Sequence, residues 1–106
     1  MRLRFRARAK TRTLRRMKVE IAIGDQKANF EAPDEAALLR AVKGEAARRA
    51  PFLVRAAINA MSDLAFAAQV VSRANKDSGR DDKAPQSARE FLDWATSRGY
   101  ATVLAA

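Results

Sequence analysis

The sequence predicts an α+β fold: an N-terminal β-hairpin, which a basic arm can extend to three strands, packed on three α-helices. Three observations carry this reading. Val19, Ile21 and Ile23 alternate with Lys18, Glu20 and Ala22 ahead of a Gly24-Asp25-Gln26 turn. Apolar residues then recur every three or four positions from Leu38 onward, the period of a helix. Pro33, Pro51 and the Asn75–Pro85 stretch divide that helical region into three.

The elements follow in order. A strand sends successive side chains to opposite faces, so Val19, Ile21 and Ile23 share one face, and a return strand over 27–31 places Ala28 and Phe30 together. A two-stranded hairpin is marginal alone and has to pack on helices or gain a third strand. Pro33-Asp34-Glu35 opens the first helix, with proline suited to the first turn and the carboxylates to the positive end of the macrodipole. Its stripe is Leu38, Leu39, Val42 and Ala46, weakened near the end by Gly44, and Arg48-Arg49 suits its C-terminus.

Pro51 stops that helix and opens a second over 52–74, with Val54, Ala57, Ile58, Met61, Leu64, Ala65, Ala68 and Val71 along one side. At 1.5 Å per residue it would run about 35 Å. Arg55, Asn59, Ser62, Gln69 and Arg73 take the opposite side, with Phe66 among them. Residues 75–85 read as a polar loop. Ser87-Ala88-Arg89-Glu90 is a capping box opening a third helix through Phe91, Leu92, Trp94 and Ala95, with Gly99 as its C-cap. The tail from Tyr100 to Leu104 reads either as a short strand or as a segment packed across the core.

Charge separates the chain into an arm, residues 1–17, and one domain, residues 18–106. Net charge is +9 over 106 residues, and nine basic and no acidic residues fall in the first eighteen. Residues 19–106 hold twelve of each sign, so the body is formally neutral. From Met1 to Lys10 every even position is cationic and every odd one apolar. As a strand the arm would place Leu3, Phe5, Ala7 and Ala9 on one face, with cations about 6.5 Å apart on the other. It also reads as a charged tail, or as sequence ahead of an alternative start at Met17.

Composition excludes much chemistry. Without Cys or His there is no disulfide, thiolate nucleophile, zinc finger or His-based triad. The four glycines stand alone, so no phosphate-cradling loop forms. Asp77, Asp81 and Asp82 surround Gly79 but lack the ligand spacing and terminal Glu of a calcium loop, and read as a solvated linker. Asp63 reads as a surface carboxylate, either solvated or salt-bridged with Arg55 or Arg73 as candidate partners, with no second catalytic group beside it. The reading is non-enzymatic, without cofactor, metal or small-molecule substrate. No apolar run approaches a membrane span, and arginines interrupt any secretory apolar stretch.

Concentrated positive charge suits an anionic partner. Arg2, Arg4, Arg6, Arg8, Lys10, Arg12, Arg15 and Arg16 are the candidate contacts to nucleic acid or an acidic partner. Phe66 and Val70 are candidates for a protein interface if they prove exposed together, and Trp94 is read as a core residue.

The stretch Ala50-Pro51-Phe52-Leu53-Val54-Arg55-Ala56-Ala57-Ile58-Asn59-Ala60, continuing through Leu64-Ala65-Phe66-Ala67-Ala68-Gln69, resembles the central helix of small bacteriophage minor-tail and tail-completion proteins. Ile58 stands where leucine is common in that pattern, and the basic arm lies outside it. The resemblance implies a phage or prophage origin, non-enzymatic work, and a location in the bacterial host cytoplasm or the virion. Two functions are expected from arm and resemblance together. One is a phage-type binding protein whose arm engages nucleic acid or a nucleoprotein complex, for DNA handling or for inhibition of a host nucleoprotein defence. The other is a structural virion or tail component, self-assembling by strand addition and through the second helix.

Overall fold

The computed structural model describes residues 16–23 and 25–105. The chain runs β1 (Met17–Ile23), β2 (Gln26–Ala32), α1 (Glu35–Arg49), α2 (Phe52–Ala60), α3 (Asp63–Ser78), α4 (Ala88–Ser97) and β3 (Ala101–Ala105). This is the α+β class that the sequence predicts, with a three-stranded antiparallel sheet covered by helices.

The hairpin forms where the alternation placed it. Val19 lies opposite Phe30 and Ile21 opposite Ala28, so both strands turn their apolar residues to one face. The turn at Gly24-Asp25-Gln26 rests partly on Gly24, which lies outside the described residues. The free side of β1 is taken by the C-terminal strand. In β3, Ala101 pairs with Ile21 and Val103 with Val19, with a register shift between Lys18 and Val19. The third strand therefore comes from the tail, giving the order β2-β1-β3. The strand expected of the arm rests on residues 1–15, outside the described residues.

Helix α1 starts one step later than the sequence reading has it: Pro33 lies before the first turn, and Asp34 is the N-cap, its carboxylate accepting the Ala37 N–H at 2.8 Å. Leu38, Leu39 and Val42 are buried against the sheet and the other helices, together with Ala47. Each such leucine or valine contributes about 1.5–3 kcal/mol when fully buried. At the other end Glu45 takes both Arg48 and Arg49 at 2.6 Å, and the two guanidinium groups hold its carboxyl below the ordinary range.

The long second helix is corrected. It breaks at Met61 and Ser62, both extended, with ψ of 155° and 164°. Ser62 caps a new helix by accepting the Ala65 N–H at 3.1 Å, and Asp63 stands in the first turn. An internal N-cap outweighs continuity of the apolar period. The break resets the phase: Phe66, Ala67 and Val71 are buried in α3 while Leu64 is exposed. Helix α3 also runs on to Ser78, four residues past the expected end, where Gly79 adopts φ +71°.

Helix α4 carries the predicted cap. Ser87 Oγ accepts the Glu90 N–H at 3.1 Å, and Glu90 reaches back to the Gln86 N–H at 2.9 Å. Its end is a Schellman turn: Gly99 sits at φ +80°, Tyr100 N–H reaches the Ala95 carbonyl at 2.8 Å, and Gly99 N–H reaches Thr96. This turn aims the chain back into the sheet as β3.

Candidate interaction site

Helix α2 is the least expected part of the body. The sequence FLVRAAINA holds one charge, and none of its nine residues is buried. Phe52 is 76% exposed, Leu53 78% and Val54 50%. An exposed apolar helix is held in place by polar ties at both ends. Arg55 donates to the Ala47 and Ala50 carbonyls at 3.1 and 3.2 Å, closing the C-terminus of α1. From α1, Lys43 donates to the Met61 carbonyl at 2.5 Å and to Asp63 at 3.4 Å, closing the end of α2. Cations at helix C-termini complement the dipole there.

These ties leave a groove of about 700 Å³ beneath the helix. Val54, Ile58 and Met61 form its α2 wall, Val70 its α3 wall, and Trp94 and Tyr100 its far end. At 100° per residue, Val54, Ala57, Ile58 and Met61 share the groove side. Phe52, Leu53, Ala56 and Ala60 share the opposite, outward side, and Arg55 lies between them toward α1.

The 80–85 loop is pinned rather than a solvated linker. Asp82 accepts from Trp94 Nε1 at 2.9 Å, from Arg80 at 3.3 Å and from both Nε and Nη2 of Arg98. Arg98 first, then Trp94 and Arg80, hold the Asp82 carboxyl at about 2. Asn75 clamps the Asp82 backbone through both its amide groups. Arg80 also donates to the Tyr100 hydroxyl at 2.9 Å, which raises its own pKa further above the ordinary range. Trp94 packs on Phe91 and Tyr100 with centroids 5.9 and 5.3 Å away, in keeping with a core role.

Several expected sites fall differently. Phe66 is 5% exposed within the core and Val70 is half-buried beside it, so the exposed pair that a Phe66–Val70 interface required does not form. Burial of Phe66 follows from the phase reset at Ser62. Asp63 pairs with Arg40 at 3.6 Å and Lys43 at 3.4 Å, not with Arg55 or Arg73, because the break turns it toward α1. Arg73 instead pairs with Asp77. Of the arm cations, Arg16 lies 3.6 Å from Glu31 at the surface. Arg2, Arg4, Arg6, Arg8, Lys10, Arg12 and Arg15 lie outside the described residues.

The exposed outer face of α2 had one sequence signal. Phe52 and Leu53 fall off the stripe formed by Val54, Ala57, Ile58 and Met61, so a helix burying that stripe leaves them outside. Among the described residues, no group of three or more Asp or Glu could hold a metal ion. No described helix is long and apolar enough to cross a membrane. Comparison with protein-family models, curated proteins and solved structures finds no match.

Proposed function

We propose that this chain is a non-enzymatic, phage-type binding protein whose basic N-terminal arm engages nucleic acid or a nucleoprotein complex. The observation that carries this reading is charge segregation: nine basic and no acidic residues fall in the first eighteen positions, ahead of a body of twelve basic and twelve acidic residues. Within the body, most cations (Lys27, Arg40, Lys43, Arg48, Arg49, Arg73, Arg80 and Arg98) stand in local pairs with Glu20, Glu45, Asp63, Asp77 and Asp82. The arm is therefore the segment with charge to offer a polyanion. Its phage character rests on the resemblance of residues 50–69, and both DNA handling and inhibition of a host nucleoprotein defence are consistent with it.

Arm cations that neutralise phosphates release counterions, so affinity falls with salt by about 0.7–0.9 log units per contact and per log unit of salt. Fluorescence anisotropy with labelled single- and double-stranded DNA over a salt series tests this. Deletion of residues 1–16 should flatten the slope and weaken binding. An unchanged slope in the deletion sinks the reading.

A second reading, a structural virion component assembling by strand addition, is favoured by β3. Among the described residues it is an edge strand, with Val103 41% and Leu104 57% exposed. Unpaired backbone groups along such an edge can take a strand from a neighbour. Large oligomers that persist at high salt would favour this reading over the first.

A further inference from the structure

We infer that the body carries a second contact surface, a platform for single-stranded nucleic acid: Phe52 stacks on an unpaired base while Arg48 and Arg49 hold the flanking phosphates. The class of partner rests on the function proposed for the arm; the surface itself is separate from the arm.

The cations gather where α1 ends and α2 begins. Arg48 and Arg49 share the single carboxylate of Glu45, and Arg49 also reaches the Gln26 side chain at 2.7 Å. Arg55 comes back from α2 to the Ala47 and Ala50 carbonyls, bringing a third guanidinium to the same place. Even with Asp25 of the neighbouring hairpin turn counted, three cations face two carboxylates. Glu45 sets the spacing of Arg48 and Arg49 but cannot neutralise both. A guanidinium has more N–H donors than these bonds use, and its planar fork matches phosphate oxygens. Arg48 is the more open of the pair, its side chain 71% exposed against 32% for Arg49.

Beside these cations stands the one aromatic that is exposed among the described residues. Phe66 and Phe91 are buried, and Phe30, Trp94 and Tyr100 are half-buried, while Phe52 lies open to water. A ring so placed forgoes the burial that gives an aromatic its value in a core. Phe52, Arg55 and Asn59 fall at i, i+3 and i+7, on one strip of α2. Arg55 runs from that strip to the end of α1, so ring and cations are neighbours across the junction. A ring flanked by cations fits a base flanked by its phosphates. Stacking needs the flat face of a base, which a duplex keeps covered, so the strand has to be single. An acidic peptide would use the cations and leave the ring without a counterpart.

The test uses the full chain and fluorescence anisotropy with a labelled dT oligonucleotide of about 15 nucleotides, a duplex of equal length, and labelled polyglutamate. Phe52→Ala should weaken dT binding by about 5- to 150-fold, with its salt slope, duplex binding and polyglutamate binding unchanged. Phe52→Trp should restore the single-strand affinity. Arg48→Gln should lower the single-strand salt slope by about 0.7. Both side chains are exposed, so circular dichroism and melting temperature should stay with the wild type. An unchanged dT affinity in Phe52→Ala overturns the inference. So does an equal loss on the duplex, or on polyglutamate, which would make the surface a contact for an acidic chain. A full-length variant with Arg2→Gln, Arg4→Gln, Arg6→Gln and Arg8→Gln separates this inference from the arm's role. If it keeps the wild-type salt slope while Phe52→Ala loses dT affinity, the arm reading fails and the platform stands. If it loses slope while Phe52→Ala binds dT normally, the platform alone fails.

Discussion

Asp82 accepts the indole N–H of Trp94 at 2.9 Å, joining the loop after α3 to the inner side of α4. The same carboxylate holds Arg98 at the end of α4 and Arg80 at the end of α3, so one residue ties three segments. Asp82→Asn keeps the shape but loses the charge that both guanidinium groups face. The melting temperature should fall by about 5 °C, a loss readable by circular dichroism for a domain this small.

The same carboxylate sets an acid limit. Its folded pKa of about 2 lies below the ordinary 3.8 of a free aspartate, so its contribution is present above pH 4 and fades as pH falls toward 2. Glu45, also lowered, adds to the loss in the same direction. Melting curves from pH 7 to pH 2 should show the gap between wild type and Asp82→Asn closing at the acid end. A constant gap would mean that the Asp82 charge is not what the network uses.

Two glycines respond oppositely to the same change. Gly99 holds φ +80° in the turn leading to β3, so Gly99→Ala should cost about 1–2 kcal/mol from backbone strain alone. Gly44 lies inside α1 with open space around its Cβ position, so Gly44→Ala should stabilise by about 0.5–1 kcal/mol. Urea denaturation of both variants gives the two signs directly.

The break between α2 and α3 depends on Ser62. Removing its hydroxyl leaves the Ala65 N–H without its cap and should cost about 1 kcal/mol. Lys43→Met removes the donor to the Met61 carbonyl on the other side of the break. Both variants should shift the urea midpoint downward with little change in slope, since the buried surface is unaltered.

What the sequence made legible was local. The hairpin alternation at Val19 and Ile21, the box at Ser87 and Glu90, and Gly99 each act within a few residues, and each forms as read. The failures were cases where one local signal competed with a longer one. Ser62-Asp63 is a capping pair, but it sits inside a regular apolar period that continues on both sides of it. The cap wins, so Phe66 enters the core, Asp63 turns to Arg40 and Lys43, and α2 stands as a separate helix. The choice of β1's second neighbour was a long-range matter, since arm and tail carry similar short apolar alternations. The Asp82 network joins residues 75 to 100, and spacing along the chain does not show which carboxylate three donors will share.

Phe66 and Leu53 offer the sharpest contrast between core and surface on what looked like one helix. Phe66 is packed among Val19, Leu38 and Phe91 in the same core cluster, so Phe66→Ala should cost about 3–5 kcal/mol. Leu53 is 78% exposed, and Leu53→Ser in a monomeric state should change stability by no more than about 0.5 kcal/mol. The comparison is best made by chemical denaturation at low protein concentration, where self-association cannot add to apparent stability. A large Leu53 effect at the lowest concentration would mean that α2 is packed within its own chain.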